Sequence, residues 1–155
     1  MKPTFMAVQS HYQSRKTVIK EQLFAEIGWE DLIPKPEYNN TCAIRVSLAL
    51  IKCGFTLNGR IAIKKGKYKG KLIEPGQAKL ARMLAERQYL GPPEIFPRDD
   101  ALRSIGNRRG VIAFWNIPDY MSGRGGHIDI VTGAYQACGS TCFWDAKTIW
   151  FWPLA

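Results

Sequence analysis

An α+β fold, with N-terminal helices and a central buried helix packed on a C-terminal antiparallel β-sheet, is predicted by three features of the sequence. Helical patterns are confined to the part before residue 106. One of them, residues 42 to 53, is apolar on most faces. From Gly110 onward the chain turns to short β-branched and aromatic runs separated by Gly, Asn, Pro and Ser. With 155 residues, 46% of them hydrophobic, the chain has enough to bury one core and too little for two, so residues 1–155 are expected to form a single domain.

The elements follow in order. Residues 17 to 27, TVIKEQLFAEI, put Ile19, Leu23 and Ile27 at four-residue spacing and stop at Gly28, which predicts an amphipathic helix ended by glycine. WEDLIPKPEYNN is a proline-punctuated loop. CAIRVSLALIKC, residues 42 to 53, predicts the buried helix, with Asn40 or Thr41 available as N-cap and Gly54 as its stop. Residues 56 to 73 are Gly- and Lys-rich and read as a hairpin or extended loop. Glu74-Pro75 opens a helix to about Gln88 with Leu80 and Leu84 inward, and a short helix spans Asp99 to Ile105. VIAFW, HIDIV, CFW and TIWFW then predict three or four antiparallel strands, with the helices on one side of the sheet.

The formal charge is +9, from 22 Lys and Arg against 13 Asp and Glu. Residues 42 to 71 carry eight basic side chains and no acidic one, and six of the eight lie between Arg60 and Lys71. A patch of this kind is either a solvated loop or a surface for an anionic partner, and its lysines suit diffuse attraction better than bidentate phosphate recognition. No apolar run approaches a membrane span, so membrane insertion is not expected, and MKPTFMAVQSHYQSRK lacks the apolar core of a secretory leader. Cys138 and Cys142 enclose only Gly-Ser-Thr. Zinc is one use of such a pair, but two histidines in the chain leave it short of ligands, so a small-loop disulfide and an oxidising working compartment are expected, with no metal and no cofactor.

Cys42 stands at the start of the buried helix. A thiol there faces the positive end of the helix, which favours the thiolate, and the free N–H groups of the first turn, including that of Cys42, can hold an oxyanion. By itself the cysteine also fits an apolar stripe with Val46, Ala49 and Cys53 and reads as packing. His127 opens a predicted strand after SGRGG, where glycines such as Gly126 let backbone or substrate come close to the ring. A helix-start cysteine followed by a Gly-flanked strand histidine has the chain order of papain-like cysteine hydrolases, and the pair reads as nucleophile and base. Asp129, on the same strand face as His127, and Asp145, on a neighbouring strand, are the candidates to orient the imidazole, with Ser140 a further one.

The strings NTCAIRVSLAL, GRIAIKKGKYKGKLIEPGQ, RRGVIAFW and GHIDIV, and a CxxxC followed by IWFWPL, resemble the type VI secretion amidase effectors. These are peptidoglycan peptidases of the NlpC and papain-like superfamily that bacteria inject into rivals. The resemblance covers most of residues 38 to 154 and is nearest the second family. The fourth, which shares an N-x-C-x-I-R-x-S helix start, a G-H strand and a cysteine pair, comes next. It implies a papain-like, NlpC-like fold, Cys42 as nucleophile, His127 as general base, and Gly126 as a candidate substrate contact, while Arg45, which matches the motif one turn past Cys42, is either a substrate contact or a structural ion-pair partner. The implied bond is the D-Ala to meso-diaminopimelate cross-link in the second family, or γ-D-Glu to meso-diaminopimelate in the fourth. The fourth family places a catalytic aspartate between its two cysteines, where this chain has Gly139, Ser140 and Thr141. The resemblance also implies delivery by the type VI apparatus without a leader, action in the target periplasm on anionic peptidoglycan, and a cognate periplasmic immunity protein.

The competing reading from another class is a non-enzymatic basic module that uses the 60–71 patch and Tyr68 to hold nucleic acid. No nucleic-acid motif is present, and the aromatics cluster in the C-terminal strands away from the lysines, so nucleic acid is not the expected partner.

Overall fold

The computed structural model describes residues 2–155. Helices α1 (Phe5–His11), α2 (Lys20–Ile27) and α3 (Cys42–Lys52) precede a two-stranded hairpin of β1 (Ile61–Ala62) and β2 (Leu72–Ile73) and helix α4 (Gln77–Leu84). Strand β3 (Glu94–Pro97), helix α5 (Arg98–Ile105) and strands β4 (Gly110–Ile117), β5 (Gly125–Val131) and β6 (Thr148–Pro153) complete the chain. The four later strands form an antiparallel sheet in the order β3-β6-β4-β5, which leaves β5 at an edge.

Helix α3 is the centre of the core. Every residue from Cys42 to Ile51 is buried, as the all-round apolar sequence requires. Alternation in the strands sorts the sheet's two faces. Val111, Ala113, Ile128, Ile130 and Trp152 pack with α1 to α4, while Ile112, Phe114, Val131, Ile149 and Phe151 pack with Ala101 and Ile105 of α5. Helices therefore cover both faces, not one as expected, because the short α5 folds back behind β3 and β6.

Other differences from the sequence expectation have local causes. Helix α1 is an extra element, capped by Thr4 Oγ1 and inserting Phe5 and Val8 into the core. In α2 the buried residues are Leu23, Phe24 and Ile27, while Ile19 sits at the N-cap and is exposed; Gly28 ends the helix at φ 76°. Glu74-Pro75 does not open α4. Glu74 instead turns inward, taking a fork of hydrogen bonds from Arg60 and one from the Gly76 N–H at 2.7 Å, so the helix starts three residues later. Strand β3 carries Pro97 and lies at the open edge, where a missing N–H is tolerated. The CFW run is not a strand: Phe143 and Trp144 leave the sheet and stack around Phe114.

Candidate active site

Strand alternation points His127 and Asp129 to the same face of edge strand β5, and α3 brings Cys42 to that edge. The imidazole Nε2 lies 2.7 Å from Asp129 Oδ2, so its N–H donates to the carboxylate and leaves Nδ1 free to face the neighbouring Cys42 thiol. The ring is wedged between Phe114, stacked at 6.1 Å, and Phe143, edge-on at 5.1 Å. Burial by itself would lower the imidazole's affinity for a proton. The Asp129 bond and the Cys42 contact outweigh it and push the pKa up to about 9, which favours the imidazolium that a thiolate partner needs.

Asp129 is fully buried and heavily donated to. Its Oδ1 accepts the Ile130 N–H at 2.8 Å, the Ser140 N–H reaches both oxygens at 3.1 Å, and the Thr141 N–H reaches Oδ2 at 3.0 Å. Two of these donors come from the turn closed by Cys138 and Cys142, whose sulfurs are bonded at 2.02 Å. Ser140 thus supports Asp129 instead of orienting the imidazole. The aspartate sits on the strand, and the cysteine loop supplies amides where the fourth family's loop carries a carboxylate.

The remaining sequence candidates divide. Asp145 lines the adjoining cavity but makes no hydrogen bond to His127. Arg45 is 2% exposed and cannot meet substrate. Its guanidinium donates to Thr41 Oγ1 at 2.8 Å and to the carbonyls of Gln13 and Val18 at 2.8 and 2.7 Å, clamping the N-terminal segment to α3. Gly126 lines the cavity, and a Cβ there would lie 2.2 Å from Gln77 Oε1, so a larger residue would have to push the Gln77 side chain of α4 aside. Of the two candidates, Thr41 is the N-cap residue of α3 but its side chain makes no capping bond; the Cys42 N–H goes instead to Asn40 Oδ1 at 3.2 Å. The expected oxyanion donor is therefore occupied in this resting state. Asn40 Nδ2 in turn donates to the Tyr120 hydroxyl at 2.9 Å.

Beside the array lies a cavity of about 540 Å³ lined by Arg15, Asn39, Asn40, Asp119, Tyr120, His127 and Asp145 among others, so that cationic and anionic groups share its walls. Sequence reasoning missed Asn40 as a donor, Arg15, Tyr12 and Tyr120. Only Asn40 had a local signal, its position two residues before Cys42. No group of three or more His, Cys, Asp or Glu side chains among the described residues could hold a metal ion.

A central helix bearing a cysteine, set against an antiparallel sheet bearing a histidine and a carboxylate, defines the papain-like, NlpC-like class. The model of the family "Type VI secretion system (T6SS), amidase effector protein 4" matches residues 38–152, and the chain belongs to that family. The match is to the fourth family and not the second, to which the sequence strings pointed first. Solved structures agree in fold. A chain of the Tae4–Tai4 effector–immunity complex from Enterobacter cloacae superposes with a TM-score of 0.77 at 18% identity, with all of both chains covered. One from the Salmonella Typhimurium complex gives 0.76 at 18%, again over all of both. The Enterobacter cloacae effector Tae4 alone gives 0.75 at 19%, covering 100% of this chain and 98% of that one. No curated protein sequence matches the chain.

Proposed function

We propose that this amidase effector is a cysteine peptidase of peptidoglycan stem peptides, with Cys42 as nucleophile, His127 as base and acid, and Asp129 as the residue that orients His127. The observation that carries the reading is the continuous run from the Cys42 thiol through the imidazole to a buried carboxylate saturated with backbone donors.

The Cys42 thiolate attacks the amide carbonyl carbon, and the electron pair moves to oxygen. The Cys42 N–H exchanges Asn40 Oδ1 for this oxyanion, and the freed Asn40 carboxamide turns its Nδ2 from Tyr120 to become a second donor. The imidazolium Nδ1–H protonates the leaving amine as the C–N bond breaks. His127 then takes a proton from water, hydroxide adds to the thioester, and collapse releases the acid and the Cys42 thiolate.

Membership of the fourth family favours the γ-D-Glu to meso-diaminopimelate bond over the D-Ala to meso-diaminopimelate cross-link. The cavity's Arg15, Asp119 and Asp145 suit a substrate bearing both carboxylate and ammonium groups. Delivery by a type VI apparatus into the target periplasm follows from the family, and the solved Tae4–Tai4 complexes support a cognate immunity protein here. In the basic hairpin, Lys64 and Lys65 pair with Asp31 and Glu30 at 3.9 and 3.1 Å, so the patch is partly a packing device, and its remaining lysines draw the protein to anionic murein.

The test is digestion of diaminopimelate-type sacculi, with the released muropeptides separated by chromatography and weighed by mass spectrometry. Wild type releases fragments cut at γ-D-Glu, and Cys42→Ala releases none. Undiminished release by Cys42→Ala would overturn the mechanism, and fragments cut at the cross-link would overturn the bond.

A further inference from the structure

Residues 12 to 18 precede the region that the family's model matches, and no motif in the sequence assigns them a role. In the structure they form a strap across the disulfide turn. Ser14 Oγ donates to the Gly139 carbonyl, the Arg15 N–H donates to Ser140 Oγ at 3.1 Å, and the Tyr12 hydroxyl lies 2.7 Å from the same Ser140 Oγ. The Tyr12 ring packs on Gly139 so closely that a Cβ there would stand 2.5 Å from the ring. Two carbonyls of the strap are fastened from below by Arg45. Such a density of polar contacts fixes the strap relative to Ser140 and Thr141, whose amides hold Asp129.

The Tyr12 hydroxyl and Ser140 Oγ share one hydrogen bond, and Ser140 Oγ also accepts the Arg15 N–H, so Tyr12 is tied to the residue whose backbone N–H reaches both Asp129 oxygens. Burial, reinforced by the Asp129 charge, pushes the phenol well above its ordinary range, so it remains a donor wherever the enzyme works. The other charged or titratable groups around it are Arg45, Arg15 and Cys42.

We propose that Tyr12 is a positioning residue for the catalytic array: through its bond to Ser140 it fixes the turn whose amides hold the Asp129 carboxylate, and so aims the His127 imidazole at Cys42. The strap is thereby part of the active site and not only a fold terminus. The inference rests on the reading of Cys42, His127 and Asp129 as the catalytic array.

Folded Tyr12→Phe, Ser140→Ala and the double variant, checked by thermal melting, are compared with wild type in muropeptide release on both sides of the imidazole titration. His127 itself is titrated by NMR. Loss of the bond that fixes the Ser140 turn under Asp129 is expected to lower kcat about tenfold in Tyr12→Phe, with KM unchanged. The alkaline limb of the rate and the NMR titration both move to lower pH, because a carboxylate free to rotate holds the imidazolium less well. The double variant is no worse than Tyr12→Phe, since the two residues share one chain of bonds. An unshifted His127 titration in Tyr12→Phe, or strictly additive losses in the double variant, overturns the inference. The titration needs no turnover, so it decides the role of Tyr12 even if Cys42→Ala were to retain activity and sink the catalytic reading.

Discussion

His127 Nε2 and Asp129 Oδ2 lie 2.7 Å apart although the two residues are next neighbours on one face of a single strand, at the open edge of the sheet. The proposed base and its carboxylate partner are thus carried by one rigid element, and the disulfide turn gives Asp129 only amides. Rigid-strand placement favours a single ring orientation without a long loop having to find it.

Asp129→Asn keeps the shape of the carboxylate but loses its charge, leaving the imidazolium without a counter-charge. Its kcat is expected to fall on the order of a thousandfold or more, as for triad carboxylates generally. Asp145→Asn, whose parent residue makes no bond to His127, should keep kcat within a fewfold of wild type. Steady-state release from sacculi by both variants checks this, and equal losses would move the orienting role to Asp145.

The His127 pKa lies near 6.5 when unfolded and at about 9 in the folded protein. A raised folded value means that the group's contribution to stability is complete below 6.5 and is lost as pH rises through about 9. Above that pH the proton needed by the leaving amine is also gone. Both kcat and melting temperature are therefore expected to decline over the same alkaline range, and Asp129→Asn should flatten the thermal dependence. Melting curves across this range, beside rate profiles, measure the two together.

The Cys138–Cys142 bond closes the turn that presents the Ser140 and Thr141 amides. Replacing both cysteines by serine is expected to cost about 2 kcal/mol of stability through the freed unfolded chain. It should also lower kcat about tenfold through a looser hold on Asp129. In an Asp129→Asn background the kcat loss should vanish while the stability loss persists. Denaturant unfolding and turnover of the paired variants separate the two effects.

Arg45 is a buried cation serving backbone carbonyls of the N-terminal strap. Arg45→Met leaves those carbonyls unpaired and is expected to cost about 3 kcal/mol. For a chain of this size that lowers the melting temperature by roughly 6–12 °C. KM for sacculi should not change. A raised KM with an intact melting curve would restore Arg45 to the substrate side.

Much of the site is legible in the sequence. Cys42 at a helix start and His127 after glycines carry strong local signatures, and the period-two spacing that puts Asp129 beside His127 is a property of any strand. Asp145 looks equivalent along the chain because strand pairing is not written there: the CFW run has β composition, yet its aromatics serve as a wall around His127. Arg45 stays open along the chain between substrate contact and structural partner, because a motif position one turn past Cys42 is compatible with either, and only burial separates them. Helix α1 and strand β3, of seven and four residues, are too short for periodicity to show, since each is held by what it packs on.

By itself the sequence determined that helices precede a strand-rich C-terminal part, the buried central helix, the cysteine pair and the candidacy of Cys42 and His127, because these depend on composition and on spacings along one element. Only the tertiary structure decided that Asp129 and not Asp145 meets His127, that the disulfide turn holds Asp129, and that the strap bearing Tyr12 reaches across 128 positions of chain to Ser140. The last two join residues distant in sequence through hydrogen bonds whose partners no local pattern encodes. They exist only once burial has removed water as the competing partner.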